Sequence, residues 1–495
     1  MPPLRYGQFL RRRYRAILAY TGLVTVLLGI LILSPLMALL AWPEETAELP
    51  WFLLPGGGLA LLGAVLWWRM KPAQPMVLTL QEGAVIVVLC WLAAMLAGSI
   101  PFLGKTGLSF SQAVFEATSG WTTTGLSVVD VTRASNLILL YRSTMQLAGG
   151  AGLAILMLAA FGGPLGAGLS TAEGKDQQLV PHVRRSTKLV VSIYTGYVLA
   201  GVVALRWAGM NWFDAVNHSF CAVSTGGFST KPDSIGYWNS PLVEAVVIPL
   251  MILGNLNFLT SYALLRGRFR WVFRNGEVRL QALLLPLGCC FLFLTATKLS
   301  YPSLSKAVRV AIFESVTALT TTGYSTVDYG AWPSAAMMLF IVFMFIGGGV
   351  CSTAGGIKQF RVYLMWRALC WELRRLLLPE FAVIPQEVWQ GESRQMVKDS
   401  QLRQVGIFIF IYLMFFLAGA GLLACYGYSV ANSLFEFASA LGTVGLSVGK
   451  TGPKTPSPVL WAQTLAMLLG RLEFMMVGVG LGKILTDSRT LLRKN

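Results

Sequence analysis

Thr123-Thr124-Gly125-Leu126-Ser127, Thr225-Gly226-Gly227-Phe228-Ser229, Thr321-Thr322-Gly323-Tyr324-Ser325 and Thr443-Val444-Gly445-Leu446-Ser447 repeat one pattern, Thr-x-Gly-aromatic/Leu-Ser. The glycines stand 102, 96 and 122 residues apart, and each copy follows an apolar segment. Self-similarity on this scale marks four diverged copies of one structural unit. Four short loops meeting on one axis would present rings of backbone carbonyls, the arrangement that strips water from a permeating cation. The last copy spells Thr-Val-Gly.

The rest of the chain supplies the setting such loops need. Its 495 residues are 55% hydrophobic and 12% charged, with a mean hydropathy of +0.63, which implies a polytopic membrane protein. Runs such as 17–40, 84–100, 189–205 and 405–425 reach the ~20 residues that cross a bilayer as a helix. The net charge of +17 invites a nucleic-acid reading, but its distribution opposes one. With alternate connections taken as cytoplasmic from the N-terminus onward, most of the 39 Lys and Arg fall inside. They include Arg11, Arg12, Arg13 and Arg15, then Arg184, Arg185 and Lys188, then Arg266, Arg268, Arg270 and Arg274, then Arg374 and Arg375. This is the positive-inside bias, and it puts both termini in the cytoplasm. Seven cysteines (Cys90, Cys221, Cys289, Cys290, Cys351, Cys370, Cys425) lie mostly in apolar runs without metal spacing, so they read as small buried hydrophobes. The Arg-rich start precedes too long an apolar stretch for a cleaved signal, which implies an uncleaved first helix.

Each unit reads as a long apolar helix, a short amphipathic segment, the loop and a second long helix. The segments are 76–100, 109–121, 122–127 and 137–161; 187–208, 212–223, 224–229 and 241–265; 280–300, 305–319, 320–326 and 334–369; and 402–426, 429–440, 441–448 and 458–484. The expected fold is therefore an all-α polytopic membrane protein: four pseudo-symmetric helix–pore-loop–helix units around one central pore, plus two leading transmembrane helices. Two leading helices occupy 1–72, and the four units occupy 73–166, 167–268, 269–370 and 371–495. The leading pair is joined by an acidic connection with Glu44, Glu45 and Glu48 that fits the outside. The polar stretch 371–401 belongs on the cytoplasmic face, at least partly as an interfacial helix. The short segments read as re-entrant helices, since irregular backbone at membrane depth is tolerated where it lines a watery cavity. Their C-terminal ends, aimed at the axis, favour a cation there.

Within the loops, Thr123, Thr124 and Gly125, Thr225, Gly226 and Gly227, Thr321, Thr322 and Gly323, and Thr443, Val444 and Gly445 offer carbonyl and hydroxyl oxygens to a hard cation. Glycine lets the backbone point carbonyls inward without a Cβ clash. A single such loop is an ordinary capping turn; four in one register, each after a short helix, point to a filter. Phe115-Glu116, Phe313-Glu314 and Phe435-Glu436 read as starting the short helices of three units, with Asn217-His218 in the second. A carboxylate early in a helix caps free N–H groups and is stabilised by the dipole, and a direct role in attracting ions is the alternative.

The third unit's last helix is interrupted by Gly347-Gly348-Gly349-Val350-Cys351-Ser352-Thr353-Ala354-Gly355-Gly356, then Ile357-Lys358. So many glycines do not hold a regular helix cheaply. The preferred reading is a flexible loop obstructing the path beneath the filter, its lining Gly347, Gly348, Gly349, Ser352, Thr353, Gly355, Gly356 and Lys358; the alternative is a surface for close helix packing. It is no P-loop, because Ile357 separates Gly356 from Lys358 and Gln359 follows. Arg471 stands thirteen residues into the helix at 458–484, near the membrane midplane, where a charge is functional or paired. It either faces the axis and bonds the glycine loop or neutralises a buried glutamate of a neighbouring unit. Neither His182 nor His218 suggests catalysis, and no nucleophile or paired-carboxylate motif supports an enzyme.

Taken with the four loops, the broken helix and Gly470-Arg471-Leu472-Glu473, the chain resembles the Trk/Ktr/HKT cation transporter superfamily over almost its whole length. The two leading helices bring it nearer the bacterial TrkH type than the shorter Ktr type. The resemblance implies potassium uptake across the bacterial inner membrane, with glycine at 125, 227, 323 and 445 implying potassium preference. It maps the family's gating loop onto 347–356 and its pore arginine onto Arg471. It further implies a homodimer with one pore per protomer, in contact with membrane lipid and without nucleic acid. A cytosolic nucleotide-binding ring of the TrkA type, binding NAD or ATP/ADP, would regulate it, so this chain itself would bind no nucleotide. The alternative within transport is a proton- or sodium-coupled cation symporter with the broken helix as its substrate site.

Overall fold

A computed structural model of the protein describes residues 3–73, 76, 78–104, 106–152, 183–379, 382–390 and 393–492. Most of it is helix. Six of the described helices are long and apolar enough to cross a membrane, and two sharply bent helix pairs bring the number to eight. Large apolar side chains such as Leu54, Leu61, Phe410 and Leu417 point outward. In water that would be an aggregation liability, but in a bilayer it is the lipid-facing surface.

The leading helices, Pro3–Leu33 and Leu49–Met70, pack against each other through glycines at matching intervals. A methyl group at Gly22 would meet the Gly63 carbonyl oxygen at 2.7 Å, and one at Gly29 would run into that of Gly56. With no hydrophobic drive between helices in lipid, such close backbone approach supplies the packing. The acidic connection expected to face outside is structural: Glu45 accepts the Asn136 and Leu137 amides, both at 2.8 Å, and Glu48 accepts the Ser135 hydroxyl at 2.7 Å. Both carboxylates are buried; Glu45 caps the helix Asn136–Ala151, where free N–H groups and the positive dipole end favour it, while Glu48 holds the hydroxyl of Ser135, the helix's own N-cap.

Each unit then follows a shared plan. The first helices are Leu80–Leu103, Val183–Trp207, Gly276–Leu292 (extended by a π turn, Phe293–Thr297) and Asp399–Cys425. The short helices are Phe110–Trp121, Trp212–Val223, Leu304–Leu319 and Val430–Leu441. Ser109, Asn211 and Ser429 cap three of these through their side chains, a local signal that starts a helix after a turn.

The second helices depart from expectation. They are Asn136–Ala151, Pro241–Asn255 with Phe258–Leu265, Ser334–Ile346 with Gln359–Leu377, and Ser457–Leu472 with Phe474–Leu492. The sequence predicts one interruption, in the third unit, yet the second and fourth are also broken, with bends of 119° and 98°. A common register explains it. Gly149, Gly254 and Gly470 each lie against the carbonyl of the residue that ends the preceding short helix: Trp121, Val223 and Leu441. Three residues on stand Gly152 (φ 85°), Asn257 and Glu473 (φ 64°), at or just past the end of the helix in these three units. The continuation to 161 expected for the first unit lies outside the described residues, as do His182 and the side chains of Arg184 and Arg185.

Two other expectations change. Of the polar stretch 371–401, residues 371–377 continue the helix Gln359–Leu377, Glu387–Gln390 pairs antiparallel with Ser393–Met396, and the last three residues open the helix Asp399–Cys425. Trp389 lies beneath Arg274 and Arg394 there, at 5.1 and 5.3 Å. Of the cysteines, Cys90, Cys221 and Cys351 are buried but Cys290 and Cys425 are exposed.

Candidate ion path

The four Thr-x-Gly loops share one backbone. Thr123, Thr225, Thr321 and Thr443 have φ of 55°, 51°, 53° and 50°, and Gly125, Gly227, Gly323 and Gly445 have φ of 97°, 74°, 82° and 94°. Left-handed threonine is strained, and the same bonds hold it in every unit. The amides of Thr123, Thr225, Thr321 and Thr443 donate to the carbonyls of Gly120, Ala222, Ala318 and Ala440 at 3.1–3.3 Å. Those of Thr124, Gly226, Thr322 and Val444 donate to Ser119, Cys221, Thr317 and Ser439 at 2.8–3.0 Å. Each loop is thus spliced onto the C-terminal turn of its short helix. Leu126, Phe228, Tyr324 and Leu446 are buried behind it.

The loops meet in cyclic order. A methyl group at Gly125 would run into the Gly226 carbonyl oxygen, one at Gly227 into that of Thr322, one at Gly323 into that of Val444, and one at Gly445 into that of Thr124. Contact therefore runs from the first unit to the second, third, fourth and back to the first. Glycine is needed at all four places for two reasons, positive φ and the neighbour's carbonyl.

On one side of this ring opens a basin of about 830 Å³, lined by all four glycines and by the residues that follow them. The two basic side chains that line it are paired with carboxylates, Arg142 with buried Glu116 at 2.8 Å and Lys231 with Asp214 at 3.3 Å. Asp130, Asp233 and Asp328 also line the basin. The Thr132 hydroxyl and amide donate to Asp130 at 2.6 and 3.0 Å and hold its carboxyl below the usual carboxylate range.

The glutamates paired with phenylalanine are neither in the first turn nor in the basin. Each sits mid-helix and grips the outer limb of its own loop. Glu116 accepts from the Ser127 hydroxyl at 2.9 Å and the Val128 amide at 2.8 Å. Glu314 accepts the Thr326 amide at 2.8 Å and the Tyr329 hydroxyl. Glu436 accepts the Ser447 hydroxyl at 2.7 Å and the Val448 amide at 2.9 Å. In the second unit His218 takes this place, its Nε2 being 3.0 Å from the Ser229 hydroxyl. The capping expectation is corrected: these groups satisfy loop amides twelve residues on, not free N–H groups of their own helix.

Against the threonine side of the ring lies the segment from Gly347 to Lys358. Gly347 and Gly356 have φ of 64° and 78°, Cys351 55° and Lys358 85°. Ser352, Thr353, Ala354, Gly355 and Gly356 are buried. The segment is tied internally by Gly348 N–H to the Gly355 carbonyl (3.1 Å), by Ser352 to the Gly349 carbonyl (2.7 Å), and by the Lys358 ammonium to the Ala354 carbonyl. It is tied to the second unit by Gly349 N–H to the Asn255 carbonyl, and to the third unit's first helix by Val350 N–H to Glu277, at 3.1 and 2.9 Å.

Its contacts with the loops are direct. The Thr353 hydroxyl is 3.0 Å from that of Thr225, and the Gly355 amide donates to the Thr321 hydroxyl at 2.8 Å. Gly355 also lies against the Thr443 hydroxyl. The hydroxyls of Thr123 and Thr443 are buried without a hydrogen-bond partner, so two of the four threonine hydroxyls are engaged in hydrogen bonds with the segment and two are not.

Arg471 adds the first unit. Its guanidinium donates to the Thr353 carbonyl at 2.6 Å and to the Gly149 carbonyl at 2.5 Å. It does not stand midway along a helix, as its position in the sequence predicts, because the helix ends at Leu472 and turns through 98°. Glu473, just beyond, accepts from Arg361 at 2.7 and 2.8 Å. That pair joins the fourth unit's bend to the helix that follows the glycine segment.

The chain resembles known proteins over most of its length. A family model of the cation transport protein TrkH matches residues 56–488. The chain belongs to the TrkH family of cation transport proteins. It is 32% identical to the Trk system potassium uptake protein TrkH of Halomonas elongata, covering 94% of this chain and 98% of that protein. It is 29% identical to an uncharacterized cation transporter of Methanocaldococcus jannaschii, over 98% of each. The crystal structure of the potassium transporter TrkH from Vibrio parahaemolyticus superposes with a TM-score of 0.82 at 28% identity, covering 94% of this chain and 98% of that one. TrkH-family membership also places this chain among membrane transporters, in accord with its apolar helices.

Sequence reasoning overlooked several side chains around the ring. Arg142 donates to the Ser127 hydroxyl (2.8 Å) and to the Ser229 carbonyl (3.1 Å), and lies 4.0 Å from the Phe228 ring centre, so it clasps two loops. Its signal was present, the one charged side chain in the helix Asn136–Ala151.

Proposed function

We propose that the protein takes up potassium across the bacterial inner membrane, through the ring of the four Thr-x-Gly loops. The observation that carries this reading is the cyclic contact of Gly125, Gly227, Gly323 and Gly445 with the carbonyls of Gly226, Thr322, Val444 and Thr124. Carbonyls gathered around one axis replace the water of a weakly hydrated cation. Potassium is then the cargo, held by Thr123, Thr124 and Gly125, Thr225, Gly226 and Gly227, Thr321, Thr322 and Gly323, and Thr443, Val444 and Gly445. The relatives of Halomonas elongata and Vibrio parahaemolyticus carry potassium in their names, in keeping with the same cargo here.

The basin faces outside in this reading, and both termini face the cytoplasm, in accord with the distribution of Lys and Arg. Asp130, Asp233 and Asp328 raise the local cation concentration. Gly347, Gly348, Gly349, Ser352, Thr353, Gly355, Gly356 and Lys358 form the gate, latched by Arg471. In the closed state Thr353 and Gly355 occupy two of the threonine hydroxyls that a descending ion would use, and the arginine charge repels it. Opening carries the segment away from the ring. The protein works as a homodimer under a cytosolic nucleotide-binding ring of the TrkA type.

Complementation tests the reading. A potassium-uptake-deficient strain carrying this chain and its regulatory partner should grow at low potassium, and purified protein should pass rubidium into liposomes. Growth that fails although the protein reaches the membrane, together with absent rubidium flux, refutes it.

A further inference from the structure

We infer that Gln146, a side chain of the first unit, replaces the side chain missing from the second unit's loop and fixes the ion-facing carbonyl of Gly226, making it a specificity-determining positioning residue. The inference deepens the potassium reading and rests on it. At the middle position of the loops, Thr124 bonds the Thr122 hydroxyl at 2.8 Å, Thr322 bonds Thr320 at 2.7 Å, and Val444 is fully buried. The second unit has only Gly226 there. The amide of Gln146 fills the space: its Nε2 donates to the Gly226 carbonyl at 2.5 Å and its Oε1 accepts the Phe228 amide at 3.1 Å. One carboxamide thereby brackets Gly227, which is the second unit's ring glycine.

Gly226 is not required by its backbone, since it is absent from the positive-φ residues. It is required by its neighbour, because a methyl group on it would run into the amide carbon and oxygen of Gln146. Among the three units that share the register of Gly149, Gly254 and Gly470, Gln146 is the exception. It stands three residues before Gly149; the same place before Gly254 and Gly470 holds Met251 and Met467, both fully buried. A buried carboxamide is costly unless its polar atoms are bonded, and here both ends are bonded to one loop. The Gly226 carbonyl is one of the four that lie against the glycine of a neighbouring loop, and a carbonyl has two lone pairs. The Gln146 donor takes one, fixes the direction of the other, and so holds the loop that lacks its own brace at the radius of the other three.

The test is the rubidium-to-sodium flux ratio of purified protein in liposomes, which does not depend on how much protein inserts. Q146L keeps the bulk and removes both bonds; Q146E keeps the acceptor and removes the donor. Each should lower the ratio about tenfold while total cation flux falls less. G226T alone should lower it similarly. Q146A/G226T supplies the threonine that the first and third loops use, and should return the ratio to within about threefold of wild type. Should Q146L fail to fold, Q146E and the double variant decide the matter alone. A wild-type ratio in Q146E, or a double variant no more selective than Q146A, overturns the role of Gln146. A wild-type protein that passes sodium as readily as rubidium refutes the potassium reading itself, whatever the variants do.

Discussion

Replacing Arg471 by alanine should open the path in the absence of the regulatory partner. The guanidinium holds the glycine segment through the Thr353 carbonyl at 2.6 Å and anchors itself on the Gly149 carbonyl at 2.5 Å. A hydrogen bond from a charged donor contributes about 1.5–3 kcal/mol. Loss of the Thr353 contact alone therefore favours opening by about 2 kcal/mol, roughly 30-fold at 1.4 kcal/mol per decade. The charge adds a separate barrier: two cations ~4 Å apart repel by about 4 kcal/mol at an effective dielectric near 20. R471A removes both effects, whereas R471K keeps the charge but not the planar fork that reaches two carbonyls. Rubidium uptake into liposomes without partner should rise at least about tenfold in R471A, with R471K between it and wild type. The remaining loop bonds, such as Gly348 to Gly355 and Ile357 to Phe345 at 3.1 and 2.8 Å, should preserve the fold. Wild-type flux from R471A at equal protein density refutes both the latch and the electrostatic barrier.

Other predictions address the ring, the basin and the bend. G323A combines positive φ with a collision against the Val444 carbonyl and should abolish flux without preventing membrane insertion, checked by flux per inserted protein. Loss of the Tyr329 hydroxyl in Y329F leaves Glu314 a partner short and should lower thermal stability by about 1–3 kcal/mol, as expected for a buried group left unsatisfied. D233N/D328N should slow uptake several-fold at low ionic strength and little at 0.5 M salt, because screening removes such steering. The Asp130 carboxyl, held below its usual range, keeps its charge as pH falls through that range and loses it only in stronger acid. The difference in uptake between D130N and wild type should therefore persist to mildly acidic pH and vanish below it. The Arg361–Glu473 pair is about four-fifths buried; E473Q should raise basal flux a few-fold, and a double-mutant cycle with R361M should show coupling.

The four-unit plan was legible because each unit repeats both the apolar length that spans a bilayer and the Thr-x-Gly loop in the same order. Glycine at 125, 227, 323 and 445 could be read as a backbone requirement from one chain alone. What the sequence hid were interactions between units. Nothing local distinguishes Glu116 capping its own helix from Glu116 gripping Val128, since the partner is chosen by how the loop folds back. The breaks at Asn255 and Leu472 carry no glycine cluster; they arise because Gly254 and Gly470 bring each helix against a short-helix terminus and the chain must then turn. Arg471 was visible as an intramembrane charge, but its carbonyl partners come from the first and third units, over 100 residues away. The strands Glu387–Gln390 and Ser393–Met396 are four residues each and carry no polar–apolar alternation, so no strand period marks them.

The most direct test of the ring is to see an ion in it. Crystals of the protein grown with thallium in place of potassium should show anomalous density on the axis, level with the carbonyls of Thr124, Gly226, Thr322 and Val444, and lose it when sodium replaces thallium. Density confined to the basin or absent from the axis, in protein that transports rubidium, contradicts the account.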